Sequence, residues 1–505
     1  MFARGRVCGR VGEAQARQVP ADLHNLPVLP VVVEFEKGSE VSPTSELGEW
    51  PHLFGNGNNN ANKNASTSRN KNKRHKPNNF TSKQVPKPTT TQKIRTPHSL
   101  LAARLDLPLA LQPSPGGLAG TSNRVSVRGI HEQNIHFYVA SSNKVYACTI
   151  KLKDDDRKTP AIAKENVVAY TKADAPVQVN DVSPAIPHRR EIQNTLLWAP
   201  PNATNGDDTS WILAGDNAHL ATTDAAGRCV VTRLRAADDL ESPNAPASFY
   251  ELAPREDWST SYESGSAAAA IHPTFTAPGG CAPRVVAVMR SPRKCVDLYD
   301  GELHARTISL CAQPAAVSFV QGAGPGKANN GVAAKTNPLT PETGLLAVLE
   351  ASQVSLWDVR ASEAGGCVHR LDGASPGAKL TCLATAHGIV AAGGMDRCVT
   401  VWDARRWAPI GRWTGGLKHH LEHLHFAGGD ETIDGIAPHA MYAAGAGFEL
   451  TCATCRDGAR ALFQVRGLSR WLGVDVVSSN GEDVVVGWCD CSEAIALRTK
   501  THEET

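Results

Sequence analysis

From about residue 123 to the end, short apolar runs alternate with short polar turns, and two segments repeat one design. In LLAVLEASQVSLWDVR (Leu345 to Arg360) and IVAAGGMDRCVTVWDAR (Ile389 to Arg405), an apolar run, a turn and a second alternating run end in Trp-Asp-x-Arg. Each reads as two antiparallel strands joined by a tight turn, and recurrence at this spacing predicts a repeat architecture. A shared cue aligns weaker copies: a turn, a basic or polar residue, Cys, then alternating apolars. It occurs at Arg228-Cys229-Val230, Lys294-Cys295-Val296 and Arg397-Cys398-Val399, with Gln353-Val354 a fourth instance lacking Cys and Asp457-Gly458 a fifth turn. Asn134 to Leu152 and Glu482 to Thr499 read as the first and last hairpins. Ala315 to Phe319, Leu380 to Leu383 and Leu421 to Phe426 read as strands entering a repeat.

The expected fold is therefore all-β: a β-propeller of about seven four-stranded blades over 123–505. The inner strand of the second blade falls on either VQVNDVS or NTLLWAP. Closing the ring requires the first and last repeats to share a blade, because an open ring leaves unpaired edges. Val125 and Val127 are assigned here to the outer strand of the final blade.

The N-terminal side follows other patterns. Residues 1–55 mix VVVEFE with the acidic, aromatic SELGEWPHLF and form no evident domain. Residues 56–98 are rich in Asn, Lys, Thr and Pro, too poor in apolar side chains to offset chain entropy, and are expected to be disordered. Over 99–122, Ser99 can cap a short amphipathic helix carrying Leu100, Leu101, Leu105 and Leu107, with Arg104 beside them.

Charge sharpens this division. The chain carries a formal +2, yet residues 56–98 hold ten Lys or Arg and no acid, so the remainder is mildly acidic. No apolar run reaches the roughly 18–20 residues of a membrane-spanning helix, which predicts a soluble protein with no membrane partner. Thirteen Cys without a secretory pattern predict free thiols in a reducing compartment. The Arg-rich MFARGRVCGRVGEAQAR resembles an organelle transit peptide, against which stand its lack of Ser and its poor apolar face.

The repeats resemble the WD-repeat family, with the full ending at Trp357-Asp358 and Trp402-Asp403 and a weaker copy at Leu298-Tyr299-Asp300. That resemblance implies a non-catalytic interaction scaffold, a monomeric propeller within a protein complex. Gly-His before an inner strand is absent, and the tight-turn Asp is clear only as Asp396. The family's buried His-Ser/Thr-Trp-Asp network is accordingly expected to be mostly missing. Trp-Asp-x-Arg in successive repeats is further similar to the box of substrate receptors of cullin-RING ubiquitin ligases, although Ala404 replaces its usual larger apolar residue. On that resemblance Asp358, Arg360, Asp403 and Arg405 would contact the ligase adaptor, supported by Trp357 and Trp402. Alternatively, each Arg ties down a loop within its own blade.

Lys71, Lys73, Arg74 and Lys76 in KNKRHKP resemble a nuclear import signal, predicting a nuclear protein with the cytoplasm also open. The same charge would attract phosphates, so a nuclear RNA- or chromatin-associated factor is the alternative function. His419, His420, His423 and His425 lack the partners that a metal site needs, and Cys452, Cys455, Cys489 and Cys491 read as small buried residues. WPHLF, with Trp50, Leu53 and Phe54, has the spacing either of a helix anchored in a partner groove or of a latch on the propeller itself. No phosphate loop or nucleophile elbow occurs, and neither a cofactor nor enzymatic activity is expected.

Overall fold

In the computed structural model the described residues are 92–107 and most of 122–504; the longer stretches left out within the latter are 152–166, 200–210, 235–248, 254–266, 321–343 and 428–439. All belong to one compact unit, Pro86–Thr505. Seven antiparallel four-stranded meanders form a seven-bladed β-propeller with no α-helix among the described residues. The inner strands are Val125–His131, Ile192–Trp198, Ala267–Ile271, Pro314–Phe319, Leu380–Ala386, Leu421–Phe426 and Trp471–Ser479, for blades 1 to 7 in turn.

Apolar patterning explains the packing. A blade's second strand is covered on both sides by neighbouring blades, so it reads as a continuous apolar run. Leu345–Glu350 and Ile389–Gly394 are buried throughout. Within the former, Leu345, Ala347 and Leu349 face blade 5, whereas Leu346 and Val348 face blade 3. The core is thus seven clusters, one at each joint between blades. The recurring cue marks the start of the third strand, as at Cys229, Cys295 and Cys398. Lys294 and Arg397, which precede it, have positive φ (51° and 59°), as the tight turn requires.

Ring closure differs from the sequence expectation. Gln92–Arg104 is a strand, not a disordered end followed by a helix, and it pairs antiparallel with the third strand of blade 7, Glu493–Glu504. Leu101, Ala103 and Leu105 pack at the joint with blade 1, while Leu100 and Ala102 pack at the joint with blade 6. A strand buried on both faces looks like a buried helical segment in sequence, because neither leaves a polar stripe. Val125–His131 is correspondingly the inner strand of blade 1, and the propeller begins at Gln92. NTLLWAP supplies the inner strand of blade 2, and Gln178–Asp181 from VQVNDVS the outer strand of blade 1. Ahead of Gln178, after the third strand of blade 1 (Lys144–Lys151), the chain adds Val167–Val168 to the edge of blade 6 and Thr171–Lys172 to the edge of blade 7, both parallel.

The buried polar network is also fuller than expected. In blade 2, His188 Nε2 is 2.7 Å from Thr222 Oγ1 and its Nδ1 3.3 Å from Asp224 Oδ2. Blade 4 rebuilds the unit: Trp357 Nε1 donates to Ser355 Oγ at 2.9 Å, Ser355 bonds Glu350, and Glu350 accepts the Cys311 N–H at 3.0 Å instead of bonding a histidine. These groups fasten each blade to the preceding inter-blade loop.

Candidate interaction surfaces

The meander puts the inter-blade loops and the turns between second and third strands on one face, here called upper; the other turns form the lower face. At the lower rim, Trp357-Asp358 and Trp402-Asp403 end the third strands of blades 4 and 5, so the two boxes occupy equivalent places on adjacent blades. Arg360 lies against its own Asp358, with Nε 3.0 Å from Oδ1 and Nη2 2.8 Å from Oδ2. Its guanidinium holds the Asp358 carboxyl below the usual carboxylate range. Two further contacts fix the loop: the Val359 N–H donates to Gly344 O at 3.0 Å, and Arg306 Nη2 donates to Asp358 O at 3.0 Å. Arg360 nevertheless keeps 52% of its side chain exposed. Its Nη1 has no hydrogen-bond partner among the described residues.

The Asp403 carbonyl accepts the Trp407 N–H at 2.7 Å, which closes the matching turn of blade 5. Trp402 is buried in the joint between blades 4 and 5, where its ring lies 2.9 Å from the place a Cβ on Gly373 would take. Trp357 is half-buried against blade 3. Both tryptophans therefore brace the rim from within. Arg405 lies outside the described residues, as do Lys71, Lys73, Arg74 and Lys76, the pair Asp457 and Gly458, and the WPHLF segment.

The inner strands of all seven blades enclose a central channel of about 540 Å³. Small side chains such as Ala268, Ala315 and Ala384 line one side, and Glu422, His423, His425 and Asp475 the other. Asp475 Oδ2 accepts the Val127 N–H at 2.7 Å, and Oδ1 lies 3.5 Å from His425 Nδ1, so one carboxyl touches blades 6 and 1 from blade 7. Burial raises Asp475 to about 7 and lowers His423 and His425 to about 3 and 4. Gly473 sits at this joint because a Cβ there would come 2.6 Å from the Arg124 amide nitrogen. Among the described residues, no group of three or more His, Cys, Asp or Glu is placed to hold a metal. The Asp475 carboxyl ties inner strands together, a role that sequence reading did not assign to it.

No protein-family model matches this chain, and no curated protein sequence matches it. Solved structures do. A chain of the crystal structure of the mitotic checkpoint complex is similar over 85% of this chain and 99% of its own length, at 10% identity and a TM-score of 0.47. Raptor from Chaetomium thermophilum is similar over 82% of this chain, at 9% identity and a TM-score of 0.49. The present chain spans 29% of that Raptor chain.

Proposed function

We propose that this propeller is a non-catalytic protein-interaction scaffold whose lower rim, at blades 4 and 5, docks on the adaptor of a cullin-RING ubiquitin ligase. The observation that carries the reading is the placement of the two Trp-Asp boxes at equivalent positions of adjacent blades, with Arg360 half exposed beside Asp358. A guanidinium bonded on one edge can still donate from the other, and planar donors suit a partner carboxylate. The contact set is Asp358, Arg360, Asp403 and Arg405, with Trp357 and Trp402 supporting the turns from within the blades. Lys71, Lys73, Arg74 and Lys76 would deliver the protein to the nucleus.

The test is affinity purification from native cells of the wild type and of the Arg360→Ala plus Arg405→Ala variant. An exposed ion pair such as Arg360 with Asp358 contributes under about 1 kcal/mol to stability, so the variant should remain folded. Loss of a co-purifying adaptor with an unchanged melting temperature is the expected result. If the wild type brings down no adaptor, the boxes only pack their own blades and the docking reading fails.

A further inference from the structure

On the upper face of blades 5 and 6, five consecutive loops are locked to one another. The Met395 N–H donates to Lys379 O at 2.8 Å, and the Arg397 guanidinium donates to Lys418 O at 3.4 Å. The Lys418 N–H is held in turn by Glu449 Oε2 at 3.0 Å. Gly447 leaves room for the His419 ring, since a Cβ there would lie 2.3 Å from it, and the Gly467 N–H donates to Phe448 O at 2.6 Å. A ridge therefore runs through 373–379, 395–397, 415–420, 446–448 and 467–470.

Charge on this ridge is one-sided. Lys379, Arg397, Lys418 and His419 are exposed, and Arg470 is partly so. The only acid in the five loops is Asp396, whose side chain is 7% exposed. It is already bonded by the Ser375 N–H at 2.9 Å, Ser375 Oγ at 3.1 Å and Arg412 Nη2 at 3.2 Å. Glu422 and Glu449 lie buried beneath, where Glu422 faces Arg470 at 3.5 Å. Within the five loops the carboxylate is thus held inside while cations face solvent; the exposed acids Asp372 and Asp490 border the ridge at its two ends. Two large apolar side chains stand out on the same loops: Met395, 54% exposed, and Leu468, 40% exposed.

We propose that this ridge docks an acidic peptide segment bearing an apolar side chain, with Arg397 and Lys418 meeting its carboxylates and Met395 and Leu468 its apolar group. Cations steer an acidic partner and make binding salt-dependent, while apolar anchors supply affinity. Loops already tied together lose little freedom on binding. A nucleic acid would use the cations but would leave the two aliphatic side chains unmatched. The ridge lies on the face opposite Asp358 and Arg360, so this site stands or falls independently of adaptor docking.

The probes are fluorescein-labelled peptides of Asp and Glu with a central Leu or Phe, matched peptides with Ser at that place, and a single-stranded RNA of equal charge. Each is titrated by anisotropy against the full chain. The Leu or Phe peptide should bind, and should weaken about tenfold between about 50 and 300 mM salt. Arg397→Glu plus Lys418→Glu should weaken it by at least about tenfold and Met395→Ser several-fold, while Arg360→Ala leaves it unchanged. If the reversal variant melts early, Lys418→Ala, which alters one exposed side chain, takes its place. Absence of peptide binding, binding that survives the charge change in a folded variant, equal binding of the Ser peptide, or preference for the RNA would each overturn the proposal.

Discussion

Arg290 and Asp297 form a buried ion pair in blade 3, Nε to Oδ2 2.6 Å, at the positions that Glu350 and Ser355 occupy in blade 4. Where blade 4 has acid, serine and Trp357, blade 3 has base, acid and Tyr299, whose hydroxyl takes a bond from Arg290 Nη2 at 2.6 Å. Removing one member leaves the other charge buried and unpaired. Asp297→Ala should therefore cost about 3–5 kcal/mol, read as a drop in the denaturant midpoint. Exposed Asp300→Ala, which breaks a pair with Arg284 about half exposed on both sides, should cost under about 1 kcal/mol.

The outer strand of blade 7 should be indispensable. A chain starting at Pro86 keeps Gln92–Arg104 and should melt as the full chain does, whereas one starting at Leu105 exposes the edge of Glu493–Glu504 and should aggregate. Leu101→Ala, at a side chain 3% exposed, should cost about 2–5 kcal/mol in chemical denaturation. A helix standing outside the ring would predict almost no effect in either experiment.

Stability should fall as pH drops from about 6.5 towards 4. Burial lowers His272 and His425 to about 4 and His423 to about 3, so the unfolded chain takes up protons there while the folded chain does not. Asp475 acts in the opposite sense: raised to about 7, it favours the folded state at low pH and loses that contribution as pH rises towards 7. The histidines outnumber it, which sets the net direction. Asp475→Asn should stabilise the protein at pH 8, on the order of 2 kcal/mol after screening by channel water, and change little at acid pH. Calorimetry of both proteins across that range checks the sign.

Thiol reactivity should sort by burial. Cys311, Cys367 and Cys491 are exposed, whereas burial pushes the Cys229, Cys382 and Cys489 thiols up to about 12. Native-state alkylation followed by mass spectrometry should find the first three modified well before the others, because the thiolate is the nucleophile. Early modification of Cys229 would contradict the packing at the joint between blades 2 and 3.

The sequence by itself determined the repeat and most of its register. Alternating runs, tight turns and the Cys cue placed third strands at Cys229, Cys295, Gln353 and Cys398, and inner strands near Ala315, Leu380 and Leu421, because strand burial and turn geometry are local constraints. The Trp-Asp boxes could likewise be placed on adjacent blades from their spacing alone. What only the tertiary structure decided depends on neighbours distant in sequence. Gln92–Arg104 becomes a strand because Glu493–Glu504 offers an unpaired edge almost the whole chain away. His188 finds Thr222 and Asp224 without the Gly-His signature, and Glu350 takes backbone N–H groups in place of a histidine, since burial demands partners for polar atoms and does not dictate which residues supply them. The basic ridge was illegible for the same reason: its cations belong to four separate loops, and the carboxylates beneath them are inward-facing only once the ring has closed.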